Sequence, residues 1–284
     1  MTRVPSRNTP GMPPLGCQLH DWNIAARASA GSGESRPPDL AGSVGSRAYQ
    51  YGLIVDLDDT LYDREQFVHS GLMAVARYVQ EHQSVSAMDA FAAMTAARRN
   101  GAAGRELQAL CARFRWPDDE VQRLLGVFRE HRPVLRMPGE TVRALSQVRA
   151  DGWRIVVLTN GLPCVQRGKV SALGLAAFVD AIVYAEEHAP GGKPARAAFR
   201  AALAALSLPA DRCVCVGDDT ECDIAGAQAM RIRTVWIKPG RGAGGSGLDG
   251  ARDSALVPDA QIASIGDLPL ALAGLMEMVK TDAA

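Results

Sequence analysis

From residue 51 onward, short runs of apolar, largely β-branched residues alternate with stretches whose apolar positions recur every three or four residues. The short runs predict strands over 53–56, 154–159, 181–184, 213–217 and 234–237. The stretches between them predict helices over 139–150, 165–173, 194–206 and 220–230, and a last short strand and helix follow over 260–265 and 268–279. Strands that alternate in this way with helices are joined by crossovers, which predicts an α/β chain built on a Rossmann-like parallel sheet.

One interval breaks the alternation. Between the first strand and the helix at Gly139 lie roughly 75 residues without a strand pattern, too long for a structureless loop inside a compact domain. Four helical stretches fill it, over 65–82, 87–99, 106–114 and 118–130, with breaks at Asn100-Gly101 and Trp116-Pro117. The predicted organisation is therefore a core formed by 49–64 and 138–284 with an α-helical domain inserted at 65–137. The first 48 residues, rich in Pro, Gly, Ser and Arg and without periodicity, are predicted to be disordered. Pro239 to Gly250 reads as a glycine-rich loop.

Composition narrows the function classes. A hydrophobic fraction of 47% with 22% charged residues is that of a soluble globular protein, and no run reaches the ~20 apolar residues of a membrane helix. The 31 basic residues balance 31 acidic ones, so no net field draws the chain to a nucleic acid polymer or an anionic bilayer. Prolines and charges interrupt the start of the chain where a secretory signal needs a continuous apolar run, which points to the cytoplasm. The six cysteines are scattered and read as reduced thiols.

The candidate chemistry sits at the carboxyl ends of predicted strands, where open parallel sheets build their sites. Asp56, Asp58, Asp59 and Thr60 end the first strand, Thr159-Asn160-Gly161 the second, Lys193-Pro194 follows the third, and Gly217-Asp218-Asp219 with Asp223 ends the fourth. Carboxylates crowded in this way repel one another, and a divalent cation relieves the repulsion. The residue types suit phosphoryl transfer, which depends on positioning and charge neutralisation. Asp56 can attack phosphorus as a nucleophile, and Asp58 can serve as general acid and then general base. Thr159 can hold phosphoryl oxygens while Lys193 offsets their charge, and Asp218 completes an all-oxygen site suited to Mg²⁺.

This ordered set, Asp56-x-Asp58-x-Thr60, Thr159-Asn160, Lys193-Pro194 and Gly217-Asp218 with Asp223, resembles the four motifs of the haloacid dehalogenase-like hydrolase superfamily over about residues 51–265. The resemblance implies Asp56 as nucleophile and metal ligand, and Asp58 as acid/base and as a ligand through its main-chain carbonyl. It implies Thr159 for phosphate, Lys193 as the motif lysine, Asp218 as the metal aspartate, and Asp219, Asp223 and Thr60 in support. The insertion matches the helical cap of many members. Dehalogenase members lack an acid at the position of Asp58, so Asp58 favours phosphate chemistry. Ala195-Arg196 depart from the usual continuation of the third motif.

The expected activity is a Mg²⁺-dependent phosphatase acting on a small-molecule phosphate ester through an aspartyl phosphate. A phosphomutase of the same fold and a phosphate-sensing regulatory module are the alternatives. Asn160, together with Arg98, Arg99 and Arg105 at the helix break of the insertion, is the expected further contact to substrate. Two formal motifs are set aside. Gly242 to Gly247 spells a dinucleotide fingerprint with no helix after it, and Gly161 to Lys169 has the wrong length for a phosphate loop.

Overall fold

The structure, a computed structural model, describes residues 50–238 and 256–282. The predicted disordered tail over 1–48 and the glycine-rich loop over 239–250 lie outside these residues. Six parallel strands form one sheet: β1 (Tyr51–Val55), β2 (Trp153–Thr159), β3 (Ala181–Tyr184), β4 (Cys213–Gly217), β5 (Arg233–Ile237) and β6 (Ala260–Ile262), in the order β3-β2-β1-β4-β5-β6. The chain runs outward from β1 through β2 to β3, then returns to place β4 on the other side of β1. The crevice where ligands bind such sheets therefore opens beyond the carboxyl ends of β1, β2 and β4.

Alternate residues of each central strand serve opposite layers, which is why the strands read as continuous apolar runs. Leu53, Val55, Ile155 and Val157 pack with α5 (Gly139–Ala150), α6 (Pro163–Ala172) and α9 (Leu268–Asp282) through Leu145, Val170 and Leu272. Ile54, Val156 and Leu158 face the other way, against Ala198, Phe199 and Ala202 of α7 (Arg196–Leu206). Gly52 allows this close packing, since a methyl there would press on Leu206 and on Cys213.

Between β1 and α5 the chain forms α1 (Glu65–His82), α2 (Ala87–Ala97), α3 (Glu106–Phe114) and α4 (Asp118–Glu130), which bury a separate apolar cluster built on Leu72, Val75, Val79, Met94, Leu110 and Leu124. Gly71 lets α1 and α4 approach, because a Cβ at that position would overlap the Phe128 ring.

Two departures from the predicted helices have a local cause. The second helix of the insertion ends at Ala97 rather than Arg99, because residues 98–102 form a wider turn in which Gly101 takes a φ of +87°, a conformation that favours glycine. The helix predicted over 220–230 is a wide turn, Thr220–Ala225, followed by the single turn α8 (Gly226–Gln228). The Asp219 carboxylate caps the amides of Glu221 and Cys222, and the amides of Asp223 and Ile224 share the Asp219 carbonyl, which widens the first turn. Among the described residues no helix is long and apolar enough to cross a membrane.

Candidate active site

β1 ends at Val55, one residue before Asp56, whose amide still donates to the Val216 carbonyl at 3.0 Å. That last ladder bond holds Asp56 at the junction of β1 and β4, largely buried (8% exposed). Its Oδ1 accepts a 2.5 Å hydrogen bond from Lys193 Nζ, which also donates to Asp223 Oδ1 at 2.6 Å. Burial pushes the Asp56 carboxyl up to about 8, with Lys193 opposing the rise and Asp223 adding to it. Burial works against the Lys193 charge too, but Asp223 and Asp56 outweigh it and hold the ammonium well above its usual range.

Carboxylate oxygens of Asp56, Asp218 and Asp223 all lie within 4.8 Å of one another. Burial, with Asp223 nearby, lifts the Asp218 carboxyl to about 7. Three hard oxygen donors this close, two of them raised in pKa by burial, fit a divalent cation of the Mg²⁺ type. Thr60 donates to Asp218 Oδ1 at 3.3 Å, and the Trp236 indole N–H donates to the Asp218 carbonyl at 2.9 Å, so both ends of Asp218 are fixed. The third side chain of this cluster is Asp223, and the Asp58 side chain lies outside it.

The Asp58 side chain turns toward α6. It accepts from Lys169 Nζ at 2.7 and 2.8 Å, from Tyr62 Oη at 2.6 Å and from Gln166 Nε2 at 2.9 Å. Burial alone would raise its pKa, but Lys169 and the hydrogen bonds of Tyr62 and Gln166 prevail and lower it. Asp59 lies in the left-handed region, with φ 58°, and its Oδ1 accepts from the Arg64 amide at 2.9 Å, which shapes the exit from the loop.

The end of β2 contributes Thr159, 1% exposed, whose Oγ1 accepts from Gln166 Nε2 at 2.6 Å. Asn160 clamps the third loop. Its Oδ1 accepts from the Lys193 amide at 2.7 Å and its Nδ2 donates to the Lys193 carbonyl at 3.0 Å. Both ends of the Asn160 side chain are thus committed to Lys193, which makes it a positioning residue for the ammonium. The Lys193-Pro194 peptide is cis.

One cleft of about 590 Å³ is lined by Asp56, Asp58, Thr159, Asn160, Lys193, Asp218, Asp219 and Asp223 from the core and by Phe67, Leu125, Phe128 and Arg129 from the insertion. Arg98, Arg99 and Arg105 do not line it, although Arg98 lines an adjoining cavity of about 620 Å³ that Asp59, Asp218 and Asp219 also border. The Arg98 guanidinium pairs instead with Glu65, and with Glu106 at 2.5 Å, which fastens α1 to α3. Arg99 and Arg105 are exposed at the same break.

Sequence reasoning passed over Gln166 and Lys169. Both fall on the stripe of α6 that also buries Val170 and Leu173, with spacings of three, four and seven residues from Gln166. A glutamine and a lysine on the buried face of a helix that follows Thr159 are the signal that would have found them.

A model of the haloacid dehalogenase-like hydrolases matches residues 52–231. The chain is 28% identical over 196 residues to glyceraldehyde 3-phosphate phosphatase of Methanocaldococcus jannaschii, covering 67% of this chain and 86% of that protein. It is 39% identical over 95 residues to ribulose-1,5-bisphosphate 5-phosphatase of Halopiger xanaduensis, a match to 34% of this chain and only 39% of that relative. The crystal structure of a 2-haloacid dehalogenase from Pseudomonas syringae pv. Tomato superposes with a TM-score of 0.53 at 27% identity, covering 79% of this chain and 99% of that one.

Proposed function

We propose that this chain, which belongs to the haloacid dehalogenase-like hydrolase family and is a hydrolase of phosphoric monoesters, is a Mg²⁺-dependent phosphatase of a small phosphorylated metabolite that works through an aspartyl phosphate on Asp56. The observation that carries this reading is the convergence on one cleft of the buried Asp56–Lys193 pair and, two residues on, a second carboxylate, Asp58.

The free oxygen of Asp56 attacks phosphorus, and the bond from phosphorus to the leaving oxygen breaks. Asp58, which takes up a proton from solvent as the substrate binds, gives that proton to the leaving oxygen. In the second half a water attacks phosphorus, Asp58 takes the proton back, and the Asp56–phosphorus bond breaks. Lys193 offsets the charge that gathers on the phosphoryl oxygens, and the buried Thr159 hydroxyl anchors one of them. Mg²⁺, when held by Asp56, Asp218 and Asp223, supplies the positive charge that relieves repulsion between these carboxylates and the phosphate dianion. The helical insertion acts as a cap that presents Phe67, Phe128 and Arg129 to the body of the substrate.

Asp58 also separates this reading from the activity named for the dehalogenase neighbour. A halide leaves without a proton, so an acid in the cleft beside the nucleophile has no use in dehalogenation. The test is turnover of p-nitrophenyl phosphate and a panel of phosphorylated metabolites with Mg²⁺, by wild type and by Asp56→Asn. Expected are multiple turnovers by the wild type and none by the variant. Chloride release from 2-chloropropionate without phosphatase activity would overturn the proposal.

A further inference from the structure

The Asp58 carboxylate has no acceptor site to spare. Oδ1 accepts from Tyr62 Oη at 2.6 Å and Lys169 Nζ at 2.7 Å, while Oδ2 accepts from Lys169 Nζ at 2.8 Å and Gln166 Nε2 at 2.9 Å. An ionised carboxylate offers about four acceptor positions, and four are taken. Neither a water nor a leaving-group oxygen can share a proton with it until one partner lets go.

The three partners are not equally free to leave. The Tyr62 side chain is buried in the core, 2% exposed, four residues along the same loop. Gln166 is 1% exposed and divides its amide between Asp58 and Thr159, so its departure would cost two hydrogen bonds. Lys169 sits at the end of a flexible four-carbon stem. Besides Asp58, its ammonium meets the face of the Phe67 ring, 4.6 Å from the centroid, and it lines the cleft together with Lys193 and Thr159. It is also the one partner whose formal charge an entering phosphate dianion attracts.

We propose that Lys169 is a second phosphoryl-binding cation, held in reserve on Asp58, which the substrate's phosphoryl oxygens draw off the carboxylate so that Asp58 regains free acceptor positions only once substrate is seated. The ammonium keeps its three protons throughout, and no bond is made or broken by its shift. Gln166 stays behind, and through its link to Thr159 it keeps Asp58 aligned with the anchored phosphoryl group. The inference rests on the phosphatase reading above.

The proposal predicts the sign of an energetic coupling. Part of the free energy of phosphate binding is spent in breaking the Lys169–Asp58 pair, so removing Asp58 releases Lys169 for the ligand. Inorganic phosphate, with Mg²⁺ present, is titrated calorimetrically into the wild type, Lys169→Met, Asp58→Ala and the double variant. Lys169→Met is expected to bind phosphate about tenfold more weakly and Asp58→Ala about tenfold more tightly, the scale of one charge-assisted hydrogen bond. In the Lys169→Met background most of the gain from Asp58→Ala should vanish. Lys169→Arg, which keeps the charge, should retain binding. Should Lys169→Met fail to fold, Lys169→Gln carries the same expectation. Equal tightening with and without Lys169, or wild-type affinity in Lys169→Met, would overturn the proposal. The phosphatase reading fails separately: a wild type that shows the coupling but hydrolyses no phosphomonoester sinks that reading, whereas an active enzyme without the coupling sinks only this inference.

Discussion

Asp223 Oδ1 accepts a 2.6 Å hydrogen bond from Lys193 Nζ, with both side chains almost completely out of solvent. The pair ties the loop after β3 to the loop after β4, and because the same ammonium reaches Asp56 at 2.5 Å it joins both to β1. One cation therefore assembles three strand ends. It does so beside two acids that also belong to the carboxylate cluster, so the ammonium and a bound divalent cation share the neutralisation of one buried set of charges.

Lys193→Met is expected to lower the unfolding free energy by about 1–3 kcal/mol, since removal of the ammonium leaves buried oxygens of Asp56 and Asp223 without their donor. It should also abolish phosphatase turnover. Urea denaturation of the metal-free variant at neutral pH measures the first effect. A loss near zero would mean that the two acids find other partners.

The pH dependence of the metal-free protein follows from Asp56 and Asp218, raised by burial to about 8 and about 7 from 3.8. Between the unfolded and folded values the folded chain binds more protons than the unfolded chain, so stability falls as pH rises. The contribution is full below about pH 4 and is lost progressively up to about pH 8. In chelator, the melting temperature should fall from pH 5 to pH 8, and Mg²⁺ should restore more of it at pH 8, where the ligands are ionised. A melting temperature that rises over this window in chelator would show that these carboxyls are not protonated in the fold.

The strand ends were legible because each is a run of apolar residues stopped by a polar group, as in Val55-Asp56 or Leu158-Thr159, and a buried parallel strand leaves no other place for such a residue. Residues 220–230 predict one helix because their apolar positions recur at helical spacing. What widens the first turn is the sharing of one carbonyl by two amides, together with a long-range demand, the Asp223–Lys193 pair, that no local pattern records. The partners of Asp58 were missed for a related reason. Gln166 and Lys169 show their role only when α6 lies against the first loop, 108 and 111 residues away in the chain.

The arginines of the insertion show the same limit from the other side. Arg98 lies at a helix break, where a loop can face the core, yet its guanidinium is spent on Glu65 and Glu106. Arg98→Ala should lower stability by about 1 kcal/mol, the scale of a partly exposed ion-pair network, and leave KM for the best substrate of the panel at its wild-type value. A rise in KM of about tenfold at constant kcat would instead place Arg98 on the substrate.

Gly217 ends β4 beside the carboxylate cluster, and a Cβ built there would overlap the Asp223 carboxylate. That carboxylate cannot simply swing aside. Its Oδ1 is held by Lys193, its Oδ2 accepts from the Asp219 amide at 3.2 Å, and the side chain is 2% exposed. Gly217→Ala must therefore displace either Asp223 or the β4 end, and each movement separates Asp223 from Asp56 and Asp218. The expected outcome is a loss of Mg²⁺ affinity and of kcat by about tenfold or more, the range seen when groups that orient metal ligands are disturbed, with far-UV circular dichroism unchanged. Calorimetric titration of Mg²⁺ into the variant, alongside turnover at saturating Mg²⁺, separates the two contributions. If saturating Mg²⁺ restores full turnover, the methyl group acts on metal binding alone. If turnover stays low, the displaced Asp223 has also released Lys193 from its position beside Asp56.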